Sequence, residues 1–511
     1  MKRLVALAMA LCLLAGILAG CATKPAASED KPQASKSEVA TEVATTEAPT
    51  VRLMVSMDSL PDMEMVQEEL SRIAMEKAGC KVELVPVPYS NYGQQVNLLV
   101  SSSSDPVDIM AMNVYVGISA PPLVAKGGLL PMDDLLEEYG QGAKEALGEY
   151  LQAGVINGEL YELCSIRNMA LQWGIMMPKA MVEKYDIDLD SIKSEDDLAP
   201  IFEKVAAAEP NMIMVMPEGG QKCWIDEASY DPLGDSFGVL ENRGESLEVV
   251  NFVETEGFAE SARRHSEWFK KGWISKDILT TTETAWDLIK AGKLFSVITT
   301  VKPGVEMEKQ IATGGVEMVC VTLGEPFTYT TRASTFGWTI PYNSPNPEAA
   351  MKVLNLMYSD EEFLNVLDWG IEGTHYVKVD GYDNVITFPE GVTAETSGYY
   401  HGLNWMFGNQ YISYVWEGNE PDLYTNLQEW NNSADVSKAM GFVWDYTTVK
   451  TEYTAVSNVN EKYLYAITEG VMDYDTYIDE YVQALKNAGI DKIIAEKQAQ
   501  LDAWAEVNGI N

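Results

Sequence analysis

Histidine is scarce: only three occur in 511 residues, His265, His375 and His401, far apart in the chain. A zinc site or a Ser-His-Asp centre would need nearly all of them, so each is expected to serve structure. The signatures H-E-x-x-H, G-x-x-x-x-G-K-[ST] and G-x-G-x-x-G are absent, so nothing points to zinc proteolysis, P-loop nucleotide binding or a dinucleotide site. Cationic residues are few as well. The 36 Lys and Arg face 77 Asp and Glu, a formal net charge of −41. Nucleic-acid phosphates and anionic bilayers would be repelled, so neither is an expected partner, and the acidity reads as a solubility feature. Cysteines are sparse, and Cys80, Cys164, Cys223 and Cys320 have spacings that fit no metal motif. Disulfides and buried thiols both stay open for these four.

The best metal-like run also falls short. Asp186, Asp188 and Asp190 alternate ahead of Asp197, but Ser191 stands where a calcium loop requires its turn glycine. Ser194, followed by acids through Asp197, reads instead as a helix cap with acids in the first turn. No cofactor, metal or catalytic residue is therefore expected. The enzymatic alternative is a glycosidase-like pair of carboxylates such as Asp58 and Glu372.

One long apolar run is present. Lys2 and Arg3 precede Leu4 to Leu18, and Ala19-Gly20-Cys21 follows. The run is shorter than the ~20 residues that span a bilayer. It reads as a signal peptide over residues 1–20, with small residues before a cysteine that becomes the lipidated N-terminus. Residues 21–50 hold only Val39 and Val43 as larger apolar side chains, too few for a core. As a flexible tether they would reach roughly 30 Å.

Beyond them the pattern is β, α, β: a strand at Val51 to Met57, a helix at Pro61 to Ala78, and a strand at Lys81 to Val87. A helix at Tyr92 to Ser101 and a strand at Val107 to Met112 continue it. A second α/β unit follows, with helices at Asp197 to Ala208 and Thr255 to Lys271, strands at Met212 to Met216 and Val316 to Thr322, and a helix and strand within Thr284 to Thr300. Alternation of this kind predicts mostly parallel sheets with ligands outside the carboxyl ends of the strands. That rule singles out Asp58, Asn113 and Tyr115. The chain is rich in aromatics, with 12 Trp and 25 Tyr. Flat rings with polar rims suit sugars, and Trp224, Trp338 and Trp369 stand at strand ends or beside glycine-flanked loops.

Six stretches in order carry a family resemblance: GGLLPMDDLLEEYG from Gly127, INGELYEL from Ile156, IMMPKAMVEKYDID from Ile175, FGWTIPYNSPNPEAAMKVLNLM from Phe336, GIEGTHY from Gly370 and NWMFGNQYISYVWEG from Asn404. From about Val51 to its end the chain resembles the extracellular solute-binding proteins of ABC importers, of the carbohydrate type with an extra C-terminal region. The resemblance implies an α/β, two-lobed periplasmic-binding-protein-like fold of type II, with a hinged ligand cleft and a helical C-terminal extension. By that analogy residues 51–165 and 284–315 form lobe 1, 166–283 and 316–398 form lobe 2, and 399–511 form the aromatic-rich and helical C-terminal region.

The same analogy places ligand contacts at Asp58, Tyr92, Asn113, Arg167, Ser334, Phe336, Gly337 and Trp338, and Trp224 and Glu372 are expected beside them. Cys164 to Asn168 departs from relatives, which often carry proline and tyrosine there. Arg167 fits either an anionic ligand group or a structural ion pair. The implied role is capture of an oligosaccharide or similar polar solute and delivery to permease transmembrane subunits. The chain would act as a monomer outside the cytoplasm, touching the membrane through lipid alone. An adhesin or sensor partner, with the aromatic C-terminal region docking another protein, is the rival reading. Metabolic labelling tests the anchor: Cys21→Ala is expected to lose palmitate incorporation completely, and retained label would refute lipidation at that residue.

Overall fold

Val51, Leu53 and Val55 point into one core, and with Met54 and Ser56 also buried, the strand Thr50–Ser56 needs cover on both faces and a neighbour on each edge. Helix Met63–Lys77 supplies cover through Met63, Val66, Leu70, Ile73 and Ala74, spaced three or four apart along one face. Strand Lys81–Val87 then pairs parallel on one edge and Ile109–Asn113 parallel on the other. The computed structural model describes residues 47–101, 105–218 and 229–510.

The first sheet runs in the order Lys81–Val87, Thr50–Ser56, Ile109–Asn113, Phe336–Thr339, Leu163–Cys164. Phe336–Thr339 is antiparallel to both of its neighbours. The second sheet has the order Met318–Thr322, Gln172–Pro178, Leu294–Val301, Ile213–Pro217, with only the last pair parallel. Each sheet has its own core, one around Leu53, Met110, Trp338 and Leu354, the other around Ile175, Phe202, Trp268 and Phe295.

This pairing reverses part of the expected division. Leu294–Val301, assigned by analogy to lobe 1, lies in the second sheet between Gln172–Pro178 and Ile213–Pro217. Phe336–Thr339, and with it helix Pro347–Ser359, belongs to the first core rather than to lobe 2. The physical reason is that an apolar strand announces burial on both faces without announcing its neighbours. The C-terminal region is likewise not one body. Tyr399, Met406 and Phe407 join the first core. Helices Lys450–Thr468, Tyr474–Ala488 and Ile490–Asn508 instead build a third core with helix Glu256–Lys270, through Phe258, Tyr474, Tyr481 and Ile493.

The segments that pass between the sheets lie side by side. Leu171 and Phe327 exchange backbone hydrogen bonds at 2.8 Å each. Phe327–Thr328 in turn pairs parallel with Asp435–Val436. Buried Asn431 pins the first crossing: its Oδ1 accepts from the amides of Met169 at 2.9 Å and Ala170 at 3.0 Å, and its Nδ2 donates to the Arg167 carbonyl at 2.5 Å. Thr328 Oγ1 donates to the Met169 carbonyl and Arg332 Nε to that of Ala170. Backbone groups outside any regular sheet are thereby satisfied. Cys80, Cys164 and Cys320 are free thiols, and burial pushes the Cys80 thiol up to about 11. Cys21 and Cys223 lie outside the described residues.

Removing the Asn431 carboxamide strands two buried amides. Asn431→Leu is expected to cost about 2–5 kcal/mol, read from equilibrium urea unfolding, and a loss under about 0.5 kcal/mol would deny the residue this role.

Candidate functional site

Register decides which ends of the two sheets face each other. Val301 lies opposite Gln172, where the chain arrives from the first sheet, and Ile213–Pro217 runs parallel to Leu294–Val301. Residues just after Pro217 and Val301 therefore sit at the crossing end of the second sheet. In the first sheet Ser56 and Asn113 close parallel strands at their carboxyl ends, and Phe336, paired with Asn113, starts its strand there.

Three polar groups near that edge are buried without a hydrogen-bond partner: Ser56 Oγ, Asn113 Nδ2 and Arg167 Nη1. Asn113 spends its Oδ1 on the amide of Tyr115 at 3.0 Å, which caps the turn Val114–Val116 and leaves the amide nitrogen free. Arg167 donates through Nε to Asn168 Oδ1 at 2.9 Å, and its guanidinium lies 4.7 Å from the Trp405 ring centroid. Trp405 stands edge-on to Tyr115 at 6.2 Å and to Phe336 at 5.5 Å. Burial lowers the proton affinity of Arg167, opposed by Tyr115 and Glu308 and reinforced by Arg332. No carboxylate forms an ion pair with it among the described residues, which weighs against the structural ion pair.

The facing edge is anchored by Glu218, which accepts from Trp286 Nε1 at 2.8 Å, Thr299 Oγ1 at 2.6 Å and Lys309 Nζ at 2.9 Å. Burial works against this charge, yet donation from Thr299 and the charge of Lys309 hold the carboxyl below its usual range. Glu308 pairs with Lys302 at 3.1 Å and Lys309 at 2.8 Å. The cleft thus offers donors and rings on one side and a fixed ionic network on the other.

Of the residues expected at the site, Asp58, Asn113 and Arg167 are at this edge. Asp58 is exposed just past its strand. His375 Nε2 meets Asp62 Oδ2 at 3.2 Å, which brings the loop carrying Glu372, also exposed, beside the loop of Asp58. Ser334 donates to the Thr330 carbonyl at 2.8 Å and lines a cavity described below. Four aromatic expectations are corrected. Tyr92 is fully buried, its hydroxyl donating to the Ala111 carbonyl at 3.0 Å and accepting from the Ala111 amide at 2.8 Å. Phe336 and Trp338 are fully buried too, the indole donating to the Met406 carbonyl at 3.0 Å and stacking on Phe407. A strand flanked on both edges and packed on both faces leaves such rings no surface for a ligand. Trp369 is buried with its indole on Ser413 Oγ at 3.1 Å. Trp224 lies outside the described residues.

The histidines have structural partners. His375 Nδ1 accepts from the Ile371 amide at 2.9 Å, so its proton sits on Nε2. Burial pushes His401 down to about 4, and His265 Nδ1 lies 2.8 Å from the Thr468 carbonyl. Asp197 acts as a cap, its carboxylate accepting from the amides of Lys193 and Ser194 at 2.9 Å each. Sequence reasoning misses Trp405, Glu218 and Lys309; only Trp405 leaves a signal, in the aromatic, glycine-bearing run from Asn404. It also passes over one G-x-S-x-G pentapeptide, Gly234 to Gly238. Ser236 there has φ of 64° but sits in a turn without the strand and helix of a nucleophile elbow.

Residues 59–362 match the family described as bacterial extracellular solute-binding protein, and residues 438–506 match a domain of unknown function, DUF3502. A carbohydrate ABC transporter substrate-binding protein of Streptococcus pneumoniae serotype 4 is 26% identical over 463 residues, covering 89% of this chain and 91% of the relative. Among solved structures, the N-glycan transport solute binding protein NgtS of Streptococcus pneumoniae has a TM-score of 0.77 at 23% identity, covering 90% of this chain and 99% of that one. The same protein in complex with Man5GlcNAc has a TM-score of 0.63 at 23% identity, with the same coverage. An extracellular solute-binding protein of Bifidobacterium longum subsp. infantis has a TM-score of 0.63 at 16% identity, covering 89% and 98%.

The Glu218 network has a pH signature. Its depressed pKa means that the stabilisation is present above the unfolded value and is lost as pH falls through the folded one. Glu218→Gln is expected to cost about 1.5–3 kcal/mol at pH 7, and less in acid. A cost unchanged with pH in urea unfolding would contradict this.

Proposed function

The chain belongs to the bacterial extracellular solute-binding protein family, and from that premise we propose that it is the capture component of a carbohydrate ABC importer. The observation that carries the reading is the guanidinium of Arg167, its Nη1 unpartnered, set against the Trp405 ring, which meets exposed Tyr115 edge-on at the crossing edge. Sugar hydroxyls accept from such donors while the apolar face of the pyranose lies on a ring. Lobe closure brings the Glu218–Lys309 edge onto the solute. A ligand favours the closed state only by its differential affinity for it, so contacts from both edges are required.

The solute is an oligosaccharide or similar polar compound, released intact to permease subunits. The protein is a monomer held at the outer face of the cell membrane by lipid on Cys21. Family resemblance, the carbohydrate transporter relative and the glycan-bound NgtS fold support the reading of the solute as a carbohydrate, and they make mannose–N-acetylglucosamine glycans the first solutes to test.

Isothermal titration with Man5GlcNAc and a panel of neutral and acidic oligosaccharides is expected to give saturable 1:1 binding without cleavage products. Arg167→Ala should weaken it at least tenfold, about 1.4 kcal/mol, while the melting temperature stays near that of the parent. Loss confined to acidic glycans would assign Arg167 to an anionic group. Failure of every glycan to bind, or the appearance of hydrolysed product, would overturn the proposal.

A further inference from the structure

A cavity of about 450 Å³ lies beside the short helix Thr330–Ala333, adjoining the cleft edge at Val114 and Ser334. Its walls come from the first lobe at Val114 and Glu162, from that helix, and from the C-terminal region at Trp444, Tyr446 and Tyr453. The volume falls in the range of small-molecule sites.

Its lining has a marked charge asymmetry: Glu162, Asp231 and Asp235 line it, and no Lys, Arg or His among the described residues does. Asp235 is already compensated, by buried Lys497 at 2.5 Å and by the Trp444 indole at 2.6 Å. Asp231 accepts from the Leu233 amide at 2.8 Å through Oδ1, and its Oδ2 is buried without a hydrogen-bond partner among the described residues. Glu162 has no cationic partner among the described residues. It is 3% exposed, and its Oε1 is buried without a hydrogen-bond partner. Room for this carboxyl is built into the first sheet, because a Cβ at Gly337 would come within 2.3 Å of Oε1. Tyr446 and Tyr453 stack at 4.3 Å with an interplanar angle of 21°, adding π-faces to the wall.

Unpaired buried carboxyl and aromatic faces together select a cation. A metal ion is disfavoured, since no group of three or more His, Cys, Asp and Glu among the described residues could hold one. We propose that this cavity is a binding site for a small organic molecule bearing a protonated amine, with Glu162 as its counter-ion. Burial pushes the Glu162 carboxyl up to about 8, so at neutral pH the empty site holds its proton. Cys164 and Tyr358, which face Glu162, are pushed up by burial and stay neutral. Binding of an ammonium group draws the proton off Glu162, and affinity rises with pH towards 8.

The test titrates the full-length chain with putrescine against 1,4-butanediol, and with cyclohexylamine against cyclohexanol, at pH 6 and pH 8. At least one amine is expected to bind tenfold or more tightly than its neutral counterpart at pH 8. Its affinity should fall by about tenfold per pH unit below that. Glu162→Gln should remove both the preference and the slope. Tyr453→Ala should weaken amine binding severalfold without changing the slope, which keeps the test decisive if the Glu162 variant fails to fold. The inference is overturned if neither amine binds, if amine and neutral probe bind alike, if the preference survives Glu162→Gln, or if Tyr453→Ala leaves amine affinity unchanged.

Discussion

The carboxamide of Asn431 is the contact on which the rest of the site depends. It comes from the C-terminal half of the chain and holds the backbone of Arg167, Met169 and Ala170, the first passage between the two sheets. An irregular segment crossing a protein interior must find partners for its amides and carbonyls or lose several kcal/mol. Because these partners are side chains rather than another strand, the passage keeps a fixed course without being absorbed into either sheet. That course presents Arg167 under Trp405 and leaves one guanidinium nitrogen unspent.

Much of the fold is legible from residue spacing because periodicity is a local property. The strand at Lys81–Val87 is read to the residue, and helix Glu256–Lys270 to within one position at each end. Sheet membership is not local. The run Leu294–Val301 reveals through its apolar content that it is buried, but the register that seats it beside Gln172–Pro178 depends on residues over a hundred positions away. The expected lobe of residues 284–315 fails for this reason, and that of Phe336–Thr339 for the same one.

The site is legible only where strand direction is. Asp58 and Asn113 stand at the carboxyl ends of strands that pair parallel, so the carboxyl-end rule places them at this edge. Phe336 and Trp338 sit on an antiparallel strand between two neighbours, and their rings turn into the core. Tyr92 is lost to the interior through a backbone hydrogen-bond pair that no sequence pattern announces. Glu218 and Lys309, far apart in sequence and unremarkable in composition, meet only through tertiary contact. Aromatic abundance is a weak guide by itself, because most of these rings are core.

The crossing segments, and the strand paired with them, bear on how the lobes can move. Leu171 is bonded to Phe327, and Phe327–Thr328 to Asp435–Val436, so the passages form a narrow ribbon rather than separate threads. A ribbon one layer thick flexes readily across its thin dimension and resists shear between its hydrogen-bonded members. The lobes are therefore coupled like plates on a piano hinge, with one soft angle and stiff torsion. Whatever solute fills the cleft, the outer faces of the two lobes then reach a docking partner in nearly the same relative orientation, and only the angle between them varies.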